Sequence, residues 1–368
     1  KEPPLDTINS YWTPLVDAFL TLWVDGVKFS RTYEYKGGRV VRCAIVVVIC
    51  DLPAARKIGG FSTYSHRRFC THCVCVGYDD FNTSRWQRRT ATECRVWMEK
   101  YKNAPTGAAA KRYFDQSGLR WTEFLRLPYF DVSRMIVVDC MHNLFLGLLR
   151  AHFRGILGFR ASTTNPPPRP AILISIPEDP DNPLPTKAND TKTLARAIKA
   201  LQKRRTEHSD MQALWNDIAH IIKPSWVTSL PAEVGGSASG GKLKADQWRV
   251  LGTVYMPLTL VRLWSNSDPA SVQRQLLDLT MDLVSAVILA ASRETSVSTA
   301  EAYHRYMLSY RAGLQKLFPD YDCLPNHHMA LHITECLLLF GPVHGWWTFP
   351  FERLIGTLQR IPTNYRQG

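Results

Sequence analysis

The feature that most constrains the fold is a β-branched run from Val40 to Ile49, which ends abruptly at Asp51-Leu52-Pro53. A continuous apolar run of this length is typical of a strand that is buried on both faces. The preceding Lys36-Gly37-Gly38 turn predicts that this strand closes a hairpin. A second β-type run, Arg134 to Val138, is closed by Asp139. In both places a carboxylate lies at the end of a predicted strand.

Most of the remaining chain has helical periodicity. Apolar residues recur at helical spacing from Thr13 to Trp23, and Asp25-Gly26 ends that run. Further helices are predicted over Thr92–Lys102, Ala108–Gln116, Met141–Phe153, Lys192–Ile222, Gln247–Trp264, Ser271–Ala291 and Ser298–Phe318, with a last one opening at Phe349. Residues 161–195 contain eight prolines and few aromatic residues, which predicts a flexible linker.

The composition is that of a globular chain. Of 368 residues, 45% are hydrophobic and 21% are charged. The longest strongly apolar run, Cys43 to Cys50, is too short to cross a bilayer, so no membrane partner is expected. The chain begins at Lys1 with neither an initiator Met nor an apolar leader, so we interpret it as a piece of a longer protein with no visible targeting signal.

Charge and cysteine usage indicate the partner class and the compartment. Lys and Arg give the chain a formal net charge of +13, which attracts polyanions and makes nucleic acid the leading partner. A basic, merely solvated surface is the plainer interpretation. Nine cysteines in a chain of this length are too sparse for a secreted disulfide scaffold, so a reducing, intracellular compartment is favoured.

Two short motifs have the spacing of a zinc site. Cys70-x-x-Cys73 supplies two thiolates, and His332 follows His327 and His328 at x₄ and x₃ spacing, both of which occur in zinc sites. The spacing does not separate His327 from His328. The alternative is a reduced cysteine pair and ordinary polar positions on a helix. If the two halves meet on one ion, the zinc is structural and holds the start and the end of a domain together.

Other candidate residues each have a plain alternative. An aspartate such as Asp51 before a proline is often a turn former. Asp139 and His142 lie at a strand-to-helix junction and could face one cleft, but Asp139 is also a good helix N-cap. Lys242 and Lys244 follow a glycine-rich loop. They could contact phosphates or simply belong to a solvated loop.

Together these segments resemble the transposases of CACTA-type elements, most closely the Plavaka-like branch of basidiomycete fungi. The matching stretches are Lys1–Val27, Arg42–Cys73, Leu127–Gly147, Pro224–Gln247 and Gly341–Leu358. Such transposases are similar in their catalytic core to the antigen-receptor recombinase, whose RNase H-like domain is split by a large helical insertion and held by a Cys/His zinc site. The combination of stretches is specific, although each one alone is weak.

The resemblance implies an α/β fold, an incomplete RNase H-like domain with large, mostly helical insertions and one exposed sheet edge. The implied parts are a core segment with CxxC (1–75), a helical insertion (76–125), a strand-helix core segment with DxxH (126–160), the Pro-rich linker (161–195), a helical insertion domain (196–320) and a C-terminal core segment with the His cluster and a catalytic Glu (321–368).

The resemblance also implies site residues. Asp51 becomes the second catalytic aspartate and Glu352 the final catalytic glutamate, while Asp139 and His142 match a D-x-x-H motif that is the alternative second position. These carboxylates would hold Mg²⁺ or Mn²⁺ for phosphodiester cleavage and transfer of the freed 3′-hydroxyl. Structural Zn²⁺ would be bound by Cys70 and Cys73 with His328 and His332, or with His327 in place of His328.

The implied partner is DNA, both the terminal inverted repeats of the element and the target, in the nucleus and through a homo-oligomer. Backbone contacts are expected from Arg67, Arg68, Lys242, Lys244 and Arg353. In the family the first catalytic aspartate lies upstream of the segment that begins here, so this chain is expected to be inactive alone. The alternatives are a decayed or domesticated fragment that binds DNA or self-associates without catalysis, and a zinc-stabilised scaffold with no role in nucleic-acid binding.

Overall fold

The computed structural model describes residues 7–77, 86–159, 208–235, 243–319, 321 and 323–361. This part of the chain is mostly helical with one small sheet, which is compatible with the expected α/β class. It divides into two compact units, residues 1–139 with 344–368 and residues 140–343. None of the described helices combines the length and the apolar composition that a bilayer crossing needs.

The elements follow one another in chain order. They are α1 (Ile8–Val24), β1 (Val27–Phe29), β2 (Arg39–Val41), α2 (Leu52–Ile58), α3 (Ala91–Lys102), α4 (Gly107–Ser117), two π-helical stretches (Met141–Leu149 and His152–Ile156), α5 (His208–His220), α6 (Ala245–Val250), a third π-helical stretch (Leu251–Tyr255), α7 (Met256–Trp264), α8 (Val272–Ala290), α9 (Val297–Leu317), α10 (Pro325–Met329), α11 (Ile333–Phe340) and α12 (Phe349–Leu358). Short 3₁₀ turns cover Glu123–Arg126, Ala330–His332 and Val343–Gly345.

The predicted helices of the first unit are confirmed, and their ends follow from local chemistry. Thr90 caps α3 by accepting a hydrogen bond from the Glu93 backbone N–H at 3.2 Å. Thr106 caps α4 in the same way. Helix α4 ends at Gly118, whose φ of +71° suits glycine, and a Cβ there would lie 2.7 Å from a backbone oxygen of Arg68.

The sheet differs from the prediction. Strands β1 and β2 pair antiparallel, with Val27 opposite Val41, but the regular strand stops there. Residues 43–50 are half-buried or exposed, so the predicted burial on both faces is wrong. Of this stretch only Val48 pairs with a second strand segment, in parallel with Ile136.

The predicted strand from Arg134 to Val138 is likewise reduced to this one bridge. The Val48 N–H donates to the Met135 carbonyl at 2.7 Å, and the Val137 N–H donates to the Val48 carbonyl at 3.3 Å. Ile136 to Val138 are buried and belong to the core of the first unit. That core also contains residues from α1, α3 and the 119–132 stretch, namely Val16, Cys94, Met98, Leu119, Phe124, Leu125, Leu127, Phe130 and Val132.

The second unit is built on the consecutive helices α8 and α9, whose predicted spans are confirmed. The helix predicted over Met141–Phe153 is also helical, although mostly in the wider π form. The Pro-rich linker of 161–195 and residues 192–207 of another predicted helix lie outside the described residues. The boundaries of the predicted domains stay predictions.

A buried polar group lies inside the second unit at His152. Its Nε2 lies 2.8 Å from the Thr280 hydroxyl and its Nδ1 lies 3.3 Å from the Tyr310 hydroxyl. Burial, followed by the charge of His327, lowers the pKa of His152 to about 3. The imidazole therefore stays neutral in the folded protein between pH 6.5 and about pH 3, a range in which the unfolded chain becomes protonated at this residue.

His152 gives the second unit a specific acid sensitivity. Below pH 6.5 the unfolded chain takes up a proton at His152 that the folded chain refuses until about pH 3, so stability falls as pH drops through this window. The loss is up to about 1.4 kcal/mol per pH unit for one group. Denaturant unfolding between pH 7 and pH 4 should give a shallower dependence of stability on pH for His152→Gln than for the wild type, with the exposed His220→Gln as the matched control. Equal slopes for His152→Gln and wild type would contradict the assignment.

Candidate metal centre and acidic site

A tight turn in the first unit brings three cysteines together. Cys70, Cys73 and Cys75 are all buried. The backbone N–H groups of His72 and Cys73 each point at the Cys70 sulfur, at 3.3 Å. N–H donors directed at a sulfur stabilise the thiolate form, which is the form that binds a metal ion.

The turn is held by the segment that leads into α3. The Val74 N–H donates to the Gln87 carbonyl at 3.0 Å, and the Arg89 N–H donates to the His72 carbonyl at 2.9 Å. The guanidinium of Arg89 is buried and donates to the Cys70 carbonyl at 3.0 Å. Backbone pairing and one arginine therefore help to fix the loop that carries the cysteines.

The histidine half of the motif lies on α10 and the turn that follows it. Asn143 and Asn326 position this helix, since each amide group donates to the backbone carbonyl of the other, at 3.3 and 3.4 Å. His328 and His332 are four residues apart and share one face, with their Nε2 atoms 3.2 Å apart. The Nδ1 of His332 lies 2.9 Å from a Glu335 carboxylate oxygen.

Four buried residues, Cys70, Cys73, Cys75 and His328, form a group that could hold a metal ion. Their ligand atoms all lie within 4.8 Å of one another. In a tetrahedral zinc site with bonds of about 2.3 Å, neighbouring sulfurs are roughly 3.8 Å apart, so the donor set and its size fit a structural zinc. Thiol contacts with Cys70 raise the pKa values of both Cys73 and Cys75. A bound dication favours the thiolate forms, because its positive charge offsets the repulsion between neighbouring sulfur atoms.

The remaining histidine, His327, belongs to the interior of the second unit. Its Nδ1 lies 3.1 Å from the backbone nitrogen of Leu324, and its ring stacks on Tyr310 at 6.2 Å. Burial lowers the pKa of His327 to about 3. The group of ligand atoms contains His328 and does not contain His327 or His332.

The two strand-end aspartates lie at the same end of the parallel pairing. Val48 pairs with Ile136, and each aspartate, Asp51 or Asp139, follows its paired residue by three positions. Burial, followed by the charges of Asp51 and Asp139, raises the pKa of Cys50 to about 12.

Asp139 also joins this end of the sheet to α12, which carries Glu352. Its two carboxylate oxygens accept hydrogen bonds from the Thr348 backbone N–H at 2.9 Å and from the Thr348 hydroxyl at 2.8 Å. Thr348 is the N-cap residue of α12, and Glu352 lies in the first turn of that helix. Asp51 caps α2 instead, accepting from the Ala54 N–H at 2.8 Å.

These three carboxylates do not form a closed metal cage. Within the part of the chain that the structure describes, the Cys/His cluster is the only group of three or more ligands whose atoms lie within 4.8 Å. The carboxylates of Asp51, Asp139 and Glu352 are therefore not gathered within that distance of one another, and magnesium binding by Asp51 and Glu352 stays a prediction. Glu352 is exposed and Asp139 is buried.

The other predicted site residues differ in their exposure. His142 is half-buried at the start of the π-helical stretch. Arg67, Lys244 and Arg353 are exposed, and Arg68 donates to the Val74 carbonyl at 3.2 Å. Lys242 lies outside the described residues. The predicted roles of all of these residues stay predictions.

Two important residues were missed by the sequence reasoning. Cys75 extends the motif to Cys-x-x-Cys-x-Cys, a spacing that was visible in the sequence. Thr348 carried no signal, because its importance comes from Asp139, which lies 209 positions away.

Comparison with known proteins does not assign the chain to a family. No protein-family model matches the chain, and a search of the curated proteins returned no match.

The metal centre makes a direct prediction. Elemental analysis of the purified chain should find about one zinc per chain, with the zinc lost in Cys73→Ser and Cys75→Ser because each removes a thiolate. Cys43→Ser is the matched control, since that thiol is exposed. Zinc kept by Cys75→Ser but lost by Cys73→Ser would exclude Cys75 as a ligand. Zinc kept by both variants would refute the site.

The Asp139 contact makes a second prediction. Thr348→Val removes the hydroxyl donor to one oxygen of the buried carboxylate and keeps the backbone donor to the other. We expect this change to lower the free energy of unfolding by about 1–3 kcal/mol. Thr357→Val, which removes an exposed hydroxyl on the same helix, should cost far less. Similar losses in urea unfolding for the two variants would show that the Asp139 contact is unimportant.

Proposed function

We propose that this chain carries part of the catalytic core of a DNA transposase of the DDE class, of the CACTA type that its sequence resembles. The observation that carries the proposal is the parallel pairing of Val48 with Ile136. It brings Asp51 and Asp139 to one end of adjacent strand segments, and Asp139 holds the N-cap of the helix that bears Glu352. Three acidic residues from distant parts of the sequence thus belong to one region of the first unit.

The proposed reaction is hydrolysis of a phosphodiester bond at an element end, followed by attack of the freed 3′-hydroxyl on target DNA. In enzymes of this class, acidic side chains hold Mg²⁺ or Mn²⁺ ions that activate the nucleophile and stabilise the leaving oxygen. The chain's own contribution in the described residues is the placement of Asp51 and Asp139, together with a fixed start for α12. Asp51 is half-buried, so its carboxylate reaches solvent from which a metal ion could bind.

The Cys/His cluster has a structural role in this proposal. All four positions of a tetrahedral ion would be filled by buried protein ligands, which leaves no open coordination site for water or substrate. A closed site of this kind contributes to folding and not to the reaction.

The charge of the chain supports DNA as the partner. A net charge of +13 favours binding of phosphate-rich polymers through counterion release. A DNA substrate also implies work in the nucleus, and joining two element ends implies a homo-oligomer of the intact protein. These features follow from the proposed reaction.

One observation favours a second candidate, a non-catalytic module that binds DNA or self-associates. Both oxygens of Asp139 are engaged by Thr348, and Asp51 uses one oxygen as a helix cap. Carboxylates with such structural roles can persist after catalysis has been lost.

Metal binding distinguishes the two candidates. Zinc-loaded chain should bind Mn²⁺ in a calorimetric or spin-resonance titration, and Asp51→Asn should weaken this binding at least about tenfold, as expected when a metal loses one charged ligand. Asp25→Asn removes an exposed carboxylate of the same unit and should leave binding unchanged. No Mn²⁺ binding, or equal binding by both variants, would contradict the catalytic proposal. Salt-dependent DNA binding that persists in that case would support the second candidate.

A further inference from the structure

The hairpin of β1 and β2 lies on the surface of the first unit with almost no side-chain burial. Its paired residues and the connecting segment 30–38 are exposed or half-exposed throughout. Its tip is nevertheless ordered. The Thr32 and Tyr35 backbones are hydrogen bonded at 3.0 Å, and Gly38 adopts φ +86°, where a Cβ would lie 2.4 Å from the Phe29 carbonyl oxygen. The hairpin therefore presents its side chains from a fixed backbone.

Aromatic rings dominate this exposed surface. Tyr33 is 92% exposed, Phe29 49% and Tyr35 46%. The Lys36 ammonium lies 5.4 Å from the Tyr33 ring centroid, and the Arg39 guanidinium lies 4.6 Å from that of Tyr35. Exposed rings give up the free energy of burial, so a surface that gathers them is suited to a partner that covers them.

The charge of the hairpin indicates the chemistry of that partner. Five cationic residues occupy positions 28–42, against one acidic residue, Glu34; the cations are Lys28, Arg31, Lys36, Arg39 and Arg42. All five are exposed. No carboxylate of the described residues forms an ion pair with any of them, so their charge is available to an anionic partner.

We propose that this hairpin binds an unpaired DNA strand, with bases stacked on Tyr33 and Tyr35 and phosphates bound by the flanking lysine and arginine side chains. Alternating cations and exposed aromatic rings are the features by which proteins bind single strands, since each base offers a flat face and each nucleotide a phosphate. Paired bases in a duplex are already stacked, so the rings discriminate in favour of unpaired strands. This inference deepens the proposed function, on whose DNA substrate it rests.

The experiment is a fluorescence anisotropy titration of the zinc-loaded chain with a labelled 20-nucleotide single strand and with the duplex of the same sequence. Tyr33→Ala should weaken single-strand binding about tenfold, the size of one base-ring stack. Tyr33→Phe keeps the ring and should bind like wild type. Tyr11→Ala removes another exposed ring of the same unit and serves as the aromatic control. Thermal unfolding of each variant confirms that the fold is intact.

The salt dependence tests the cations separately. The double variant Lys36→Gln/Arg39→Gln should reduce the slope of log affinity against log salt by about 0.7 for each phosphate contact that is lost. Arg112→Gln, which removes an exposed charge from α4, is the matched control and should leave the slope nearly unchanged.

The outcomes separate this inference from the proposed function. If Tyr33→Ala and Tyr11→Ala bind the single strand equally well, or if Tyr33→Ala weakens the duplex as much as the single strand, the hairpin proposal is overturned while DNA binding stands. If wild type binds neither form of DNA at low salt, the hairpin proposal and DNA as the partner fail together. Mn²⁺ binding that depends on Asp51 would still support the acidic site in that case.

Discussion

The two hydrogen bonds from Thr348 to the buried carboxylate of Asp139 are the contact on which the acidic region of the first unit depends. They join residues 209 positions apart and fix the start of α12 beside the end of a strand segment. A buried carboxylate is tolerated only when donors satisfy its oxygens, so Asp139 and Thr348 depend on each other. Through this contact the last described helix joins a unit whose other residues come from the first 139 positions.

This dependence creates a conflict between stability and chemistry. A carboxylate with both oxygens engaged by protein donors stabilises the fold, whereas a metal ligand needs an oxygen that faces the ion. Asp51 is less constrained, since one of its oxygens caps α2 and its side chain is half-buried. Asp51 is therefore the better placed of the two aspartates to bind a metal ion, and Asp139 is the better placed to hold the fold.

The metal centre and the hairpin differ in where they place reactive or poorly solvated side chains, which are buried in the first and exposed in the second. The three cysteines are buried so closely that their neutral thiols crowd one another, and a closed zinc ion would relieve this. The hairpin instead leaves rings and cations in solvent on a well-ordered backbone. The first arrangement suits a permanent structural role, and the second suits a partner that comes and goes.

The sequence by itself determined the local elements, because helical periodicity and caps depend on neighbours within a few residues. The spans of α1, α3, α4, α8 and α9 agree closely with the predicted helices, and the Cys-x-x-Cys motif was visible by spacing alone. Only the tertiary structure reduced the predicted doubly buried strand to one bridge at Val48, since burial depends on which segments lie alongside. It also placed His328 rather than His327 with the cysteines, added Cys75, and made Thr348 the partner of Asp139. Each of these depends on contacts between residues far apart in the chain, which no local pattern encodes.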